Sequence, residues 1–326
     1  MKVLVTGANG LLGSHIVQVL LKRKYQVRVL VRPESNLFAL EGLQVEYFLG
    51  QLTIRKDVEK AVSGCNYVIH AAARAFHMPT RLEAFRNINI DSTRYITDAC
   101  NNNGIERLVF VSTANCFANG SKSNPGNEQG EFPSWLKRSG YAYSKFLAQQ
   151  LVLDEVKKGN LDAVVVNPTF IIGKDVKSGG GKIFSYVLNR KVAFYPMGGK
   201  NFADATAVAQ GVVNALERGR SGECYLLAGE NLSYRQFFNT VSQYTGQHPL
   251  MIPVPCLLLK LVGKLGDFSE SVLKKPVQLT YVNARMLCDG NYYTPAKAVK
   301  ELGLPLVPVR VAIEKAIGWL KDKPSA

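Results

Sequence analysis

The chain is poor in histidine, tryptophan and acid. Its 326 residues include 4 His, 2 Trp and 25 Asp plus Glu, against 40 Lys plus Arg. The cysteines (Cys65, Cys100, Cys116, Cys224, Cys256 and Cys288) are scattered and never stand at Cys-x-x-Cys spacing. Zinc-type ligand spacing and a disulfide framework are both missing, so reduced thiols and no metal are expected. No apolar run is long enough to span a bilayer, so no stable membrane insertion is expected. Met1–Thr6 runs straight into a glycine turn without the pattern of a secretory leader, and a cytoplasmic location is expected. Internal repeats and low-complexity tracts are also missing. The net charge of +15 comes from dispersed basic residues such as Lys22-Arg23-Lys24, Lys157-Lys158 and Lys274-Lys275, without interleaved aromatics. That disfavours nucleic acid as a partner and favours a small phosphorylated ligand. A homodimer is left open.

What is present is an alternation of short apolar runs with helical patterns. Val3–Val5, Val27–Val31, Val45–Phe48, Tyr67–His70, Leu108–Val111 and Ala163–Val166 read as strands. Leu11–Leu21, Leu82–Cys100 and the stretch from Tyr141 onward read as helices between them. This alternation implies crossover units, hence an α/β doubly wound parallel sheet of Rossmann type with both faces covered. After Pro168 the pattern loosens, with glycine loops at 178–181 and 198–199, a helix over Val208–Leu216 and a further strand at Cys224–Leu227. The expected division is a dinucleotide-binding domain over 1–173, with 202–228 returning to it. Residues 174–201 and 229–326 would form a smaller, largely C-terminal substrate-binding domain. Within that part, Pro253–Leu265 reads first as an amphipathic helix packing on the core. A greasy pocket wall or a membrane-touching helix is the weaker reading.

Strand one ends in Thr6-Gly7-Ala8-Asn9-Gly10-Leu11-Leu12-Gly13, with a helix following at once. In this G-x-x-G-x-x-G spacing Gly7 permits the tight turn and Gly10 lets the backbone approach a pyrophosphate. Gly13 allows the helix to pack close to the strand. The helix N-terminus then offers unpaired N–H groups to phosphate. Strand two ends in Val31-Arg32-Pro33-Glu34-Ser35. Arg32 suits a ribose 2′-phosphate and Ser35 adds a hydroxyl, so NADP is favoured. Glu34 keeps NAD open as the weaker alternative.

Tyr141-Ala142-Tyr143-Ser144-Lys145 places a tyrosine and a lysine at i and i+4 on one helical face. A cation near a phenol lowers its pKa from about 10. Such a pair makes a proton donor or acceptor that works near neutral pH.

Together these motifs resemble the extended short-chain dehydrogenases/reductases of the NAD-dependent epimerase/dehydratase superfamily. Within that group the chain is similar to dihydroflavonol 4-reductase-like and bacterial 3-beta-hydroxysteroid-dehydrogenase-like members. The resemblance runs through His70-Ala71-Ala72-Ala73, Asn87-Ile88-Asn89, Val111-Ser112-Thr113, the Tyr141/Lys145 pair, Asn167-Pro168 and Tyr292–Gly303. It implies a catalytic set of Thr113, Tyr141 and Lys145, with the hydroxyl of Thr113 on the substrate oxygen. Tyr141 would exchange the proton, and Lys145 would orient the nicotinamide ribose. It implies cofactor contacts from Gly7, Asn9, Gly10, Leu11, Leu12, Gly13, Arg32, Ser35, Gln51, Leu52, Ala71, Ala72, Ala73, Asn89, Tyr141, Lys145 and Pro168.

The chain departs from its relatives in several places. Gln51 stands where many carry an Asp for the adenine amine. Asp204–Ala209 lacks the usual acidic pair, so Thr206 is expected to cap the helix there. Asn115–Ser139 is a long loop of the kind that lines an active site. Ala114-Asn115 replaces the acidic pair of sugar-nucleotide dehydratases, and Lys200-Asn201 replaces an arginine of the epimerases. The expected function is therefore NADP-dependent interconversion of a carbonyl and an alcohol on a small, rather apolar substrate. An NAD-dependent sugar-nucleotide epimerase and a non-catalytic NADP-binding regulator are the alternatives.

Overall fold

The computed structural model describes residues 1–75, 81–174, 183–184, 186–187, 190–273 and 277–322. The glycine loop expected at 178–181 lies outside them. The first half builds β1 (Lys2–Thr6), α1 (Leu11–Lys22), β2 (Gln26–Val31), β3 (Glu46–Leu49), α2 (Arg55–Val62), β4 (Tyr67–His70), α3 (Ser92–Asn102), β5 (Arg107–Val111), α4 (Gly140–Lys157) and β6 (Ala163–Pro168). Later come β7 (Phe170–Ile172), β8 (Val192–Pro196), β9 (Gly199–Asp204), α5 (Ala205–Arg218) and β10 (Cys224–Leu227). The remainder is β11 (Glu230–Ser233), α6 (Tyr234–Thr245), β12 (Leu250–Val254), α7 (Cys256–Leu273), α8 (Tyr281–Cys288), β13 (Gly290–Asn291), α9 (Ala296–Leu302) and α10 (Val309–Asp322).

The main sheet has seven strands in the order β10-β6-β5-β4-β1-β2-β3, all pairs parallel. Alternate residues of each strand point to opposite faces. Val3 and Val5 join Ile16, Val29, Val109, Val164 and Val212 under α1 and α5. Leu4 joins Val58, Ile96, Phe110, Ala148 and Val165 under α2, α3 and α4. Both faces are covered, which is why the strands read as unbroken apolar runs. The chain reverses its lateral direction between β1 and β4. The carboxyl ends of those two strands, Thr6 and His70 in register, therefore open onto the crevice where this fold takes ligands.

A second lobe is built on a sheet of β11-β9-β13 with β7 on β9, and on the parallel pair β12-β8. Its core is aromatic: Phe202 stacks on Phe237 at 4.3 Å, with Phe184, Phe238 and Tyr234 around them. Helix α5 links the two lobes, and its start corrects one expectation. Asp204, not Thr206, is the cap: Ala207 N donates to Asp204 Oδ1 at 2.9 Å, and Asp204 Oδ2 lies 3.4 Å from Lys315 Nζ. The strand delivers Asp204 buried and extended at the last position before the helix, and Thr206 stands two residues on, already inside the first turn. Asp204→Ala should cost about 1–2 kcal/mol and lower the thermal midpoint, while Thr206→Ala stays near wild type. Circular-dichroism melts of both variants check this, and the reverse ranking would overturn it.

The expected continuous helix over Leu82–Cys100 is interrupted. A short helix at Glu83–Phe85 passes into a wide π-helical turn over Arg86–Asp91 before α3 begins. Ser92 and Thr93 donate their hydroxyls back to the carbonyls of Ile88 and Asn89, which opens the ladder at that turn.

Candidate active site

The loop after β1 is shaped by contacts with the end of β4. Gly7 has φ 68°, and a Cβ there would sit 2.7 Å from Ala72 Cα. A Cβ on Gly13 would collide with the Gly7 carbonyl. Protein packing therefore accounts for both glycines. Gly10 differs: it is exposed, and a Cβ there would meet only Gly7 O at 3.4 Å. Its bareness leaves the N-terminus of α1 open. That N-terminus has no side-chain cap and no acid in its first turn. Unpaired N–H groups behind a bare residue fit an approaching phosphate, so the dinucleotide expected here fits the residues present.

A one-way hydrogen-bond chain fixes the floor of the crevice. Ala72 N donates to Thr6 Oγ1 at 3.3 Å, and Thr6 Oγ1 lies 2.7 Å from His70 Nδ1. On the other side His70 Nε2 lies 3.2 Å from Thr93 Oγ1, which donates to Asn89 O at 2.8 Å. Thr93 spends its proton on Asn89, so it must accept from His70. Nε2 therefore carries the ring proton, and Nδ1 accepts from Thr6. Burial, and secondarily the charge of Lys145, push the imidazole down to about 3, so it stays neutral as this chain requires. His70, Thr6 and Thr93 were not expected as part of the site. Their signal in the sequence, polar residues inside apolar strands and a helix, is weak without the fold.

Asn89 is 1 % exposed and engaged within the protein. Its Oδ1 accepts from Arg74 N at 2.8 Å, and its Nδ2 donates to Arg74 O at 3.2 Å and Ser144 Oγ at 2.8 Å. It ties the segment after Ala71–Ala73 to α4, and so holds the wall of the crevice. Arg32 stands at the end of β2 with its guanidinium largely exposed, 3.4 Å from Glu34. Ser35 N donates to Arg32 O in the following turn, and Asn9 Nδ2 donates to Asn36 O at 3.4 Å. Gln51 has its side chain exposed, while its N–H donates to Asp57 Oδ2 at 2.9 Å; Leu52 beside it is half-buried. Leu11 packs near Gly173, and Leu12 lies against the core under α1.

At the top of β5 the chain turns outward, and Thr113 is displayed there. Its hydroxyl accepts from Asn115 N at 3.4 Å and is hydrogen-bonded to Tyr141. Its carbonyl accepts from Asn167 Nδ2 at 2.9 Å, which also donates to Gln149 Oε1 at 2.8 Å. Ser112 has its hydroxyl 3.3 Å from Cys116 Sγ. Tyr141 lies in the first turn of α4, whose cap is Ser139, and its ring lies 6.4 Å from that of Phe85. Pro168 is buried at the end of β6 beside this group.

Lys145 is 2 % exposed. Its ammonium donates to Val111 O at 2.8 Å and sits 4.2 Å from the centre of the Phe110 ring. Burial pushes it down to about 8. The expected depression of Tyr141 by Lys145 is corrected here. The phenol is pushed up to about 12, by burial first and against the lowering hydrogen bond from Thr113; Lys145 is not among the groups that shift it. The i, i+4 spacing puts both residues on one helical face, but the lysine reaches past the tyrosine to the strand carbonyl. Desolvation then outweighs any help the phenolate receives.

The long loop 115–139 is tied down rather than loose. Gly126 N donates to Tyr292 O, Thr294 N to Gly126 O, and Leu226 N to Glu128 Oε1 at 2.7 Å. Phe132 stacks on Phe146 at 4.3 Å, and Leu136 packs with Val282 and Met286 of α8. The loop thus packs on α4 and α8 through aromatic and aliphatic side chains. Lys200 lies on the side of the second lobe, 5.0 Å from the centre of the Phe170 ring, and burial pushes it down to about 8.

Comparison with known proteins agrees with this fold. The sequence pattern of the NAD dependent epimerase/dehydratase family matches residues 3–228. A putative dihydroflavonol 4-reductase of Synechocystis sp. is 30% identical over 324 residues, covering 98% of this chain and 94% of that protein. A 4-hydroxy-2-methyl-3-oxo-4-farnesyl-3,4-dihydroquinoline-1-oxide ketoreductase of Stigmatella aurantiaca is 30% identical over 273 residues, covering 82% and 80%. The crystal structure of gox2253 superposes with a TM-score of 0.87 at 30% identity, covering 98% of both chains.

Proposed function

The chain belongs to the NAD dependent epimerase/dehydratase family, as an NAD(P)-dependent oxidoreductase of the extended short-chain dehydrogenase/reductase type, and from that premise we propose that it interconverts a carbonyl and an alcohol on a small, rather apolar substrate with NADP. The observation that carries the reading is the side-chain hydrogen bond between Thr113 and Tyr141, just beyond the end of β5. It joins two hydroxyls, one able to hold a substrate oxygen and the other able to exchange its proton.

When bound, the dinucleotide supplies or accepts the hydride. Thr113 holds the substrate oxygen against the Tyr141 hydroxyl. In reduction the Tyr141 phenol gives its proton to the forming alkoxide, and in oxidation the phenolate takes the proton from the alcohol. A phenol pushed up to about 12 is protonated at neutral pH and so is ready for the donor role there. Lys145 adds a fixed positive charge on the floor of the site, where it would hold the ribose hydroxyls. The bare N-terminus of α1 would hold the pyrophosphate, and the partly exposed Arg32 the 2′-phosphate. The Phe85 ring 6.4 Å from that of Tyr141 supports a rather apolar substrate, and the ketoreductase relative is named for a substrate that carries a farnesyl chain.

A panel of ketones, aldehydes and alcohols with NADPH and NADP, followed at the nicotinamide absorbance, tests the reaction class. Absence of turnover together with tight dinucleotide binding would favour a regulator instead. Arg32→Asp tests the cofactor. It replaces an attraction with a repulsion and should weaken NADPH roughly a hundredfold while leaving NADH nearly unchanged. Equal losses for both dinucleotides in a fluorescence titration would remove Arg32 from the assignment.

A further inference from the structure

Helix α7 (Cys256–Leu273) is built inside out. Its fully buried residues are Gly263 and Gly266. A Cβ on Gly263 would lie 2.8 Å from Thr280 O, and one on Gly266 would collide with Leu279 O, so the helix backbone rests directly on the segment that enters α8. Asp267 is on the same side and accepts from Tyr281 N at 3.2 Å. The opposite side is exposed and apolar: Leu257 72%, Leu258 51%, Leu261 50%, Val262 43%, Leu265 68%, Phe268 69%, Val272 61% and Leu273 63%. At 100° per residue these positions fall within one arc of roughly 160°. Lys264 and Ser271 border one edge of that arc, and they are the remaining exposed residues of the helix. No exposed position of α7 carries a carboxylate. A helix that packs on a core in water shows the reverse arrangement, apolar side in and charged side out. The expectation that this stretch packs its apolar face on the core is thereby corrected. The strand pair leading into α7 through Pro255 adds exposed Leu250 and its register partner Val192, with Phe194 further along.

We propose that α7 is a docking helix for an anionic lipid surface. It would lie in the plane of the membrane with Leu257, Leu261, Leu265 and Phe268 seated among the acyl chains. The helix is roughly 27 Å long and interfacial rather than spanning, and no helix among the described residues is long and apolar enough to cross a membrane. The apolar arc supplies the burial, and Lys264 at its rim supplies attraction to headgroups. The sequence continues directly into Lys274-Lys275, and the whole chain carries a net charge of +15. That charge complements an anionic surface and opposes a second copy of the same face. This inference does not rest on the proposed reaction, and its test needs no turnover.

The full-length chain is floated with vesicles of phosphatidylcholine containing about 30 mol% phosphatidylglycerol, and with vesicles of phosphatidylcholine alone. The expected result is co-flotation with the anionic vesicles, at least several-fold weaker with the neutral ones and reduced by added salt. The double substitution Leu261→Asp and Leu265→Asp changes exposed positions only and should abolish co-flotation without changing the far-ultraviolet circular dichroism. A second variant, Leu265→Trp, keeps the apolar face and should show a blue-shifted emission on adding anionic vesicles. Absence of wild-type binding would overturn the proposal, as would binding that survives the double substitution. So would a dimer in sedimentation that the double substitution converts to a monomer, because then a second copy covers the face.

Discussion

Tyr141→Phe is expected to lower kcat/KM for carbonyl reduction by about a thousandfold while leaving dinucleotide affinity within about twofold of wild type. The substitution removes one oxygen and keeps the ring against Phe85, 6.4 Å away, so the crevice wall is preserved. What disappears is the proton donor and the partner of the Thr113 hydroxyl. Thr113 keeps its bond from Asn115 N, so the turn above β5 holds its shape. The pH profile of the wild type adds a second readout. A phenol raised to about 12 stays protonated through neutral and mildly alkaline pH, so reduction should be flat there and fall only as the pH approaches that value. Oxidation, which needs the phenolate, should climb across the same alkaline range. The measurement is kcat/KM in both directions on a substrate found in the carbonyl panel. A Phe variant retaining most of the rate would mean that another acid moves the proton.

Lys145→Met is expected to make the fold more stable and the enzyme far slower. The ammonium is 2 % exposed, and among the described residues it meets a carbonyl and an aromatic ring in place of a carboxylate. Its drop from 10.5 to about 8 corresponds to a cost on the order of 3 kcal/mol for keeping it charged inside the protein. Met has nearly the same length and no charge. It gives up the charged hydrogen bond to Val111 O, worth about 2 kcal/mol, so the net gain should be about 1 kcal/mol at pH 7. The sign of the pH dependence follows from the lowered pKa. Below about 8 both the folded and unfolded chains carry the proton, and the full cost is present. Between there and 10.5 the folded chain releases it first, and the cost fades. The stability difference between variant and wild type should therefore be largest at neutral pH and shrink as the pH rises through that window. Chemical denaturation of both proteins across the window measures it, and a variant less stable than wild type at pH 7 would refute the account. Turnover should fall together with dinucleotide affinity, because the same charge is assigned to the ribose. A stabilising substitution that removes function marks a charge kept for chemistry rather than for folding.

The alternation of apolar runs and helical stretches, with glycines at the first turn, determined the parallel sheet and the position of its crevice. Both are local consequences of chain chemistry: Val3–Thr6 must extend, and Gly7 must turn with positive φ. The candidates for the chemistry were also named from the sequence, Tyr141 and Lys145 by their spacing and Thr113 by family resemblance, and their roles belong to the proposed reaction. What those residues feel was not legible. The lowered pKa expected for Tyr141 assumed a pair isolated in water, whereas the folded chain removes the water, and desolvation acts with the opposite sign. The same holds for Asp204, which caps α5 because β9 delivers it buried and extended, and for Asn89, whose π-helical turn depends on side chains bonding back to the backbone. The largest departure is α7. Its sequence shows an amphipathic period, but a period says only that two faces differ. Which face meets the protein was decided by Gly263 and Gly266, where the absence of side chains lets backbone pack on backbone and turns the leucines outward.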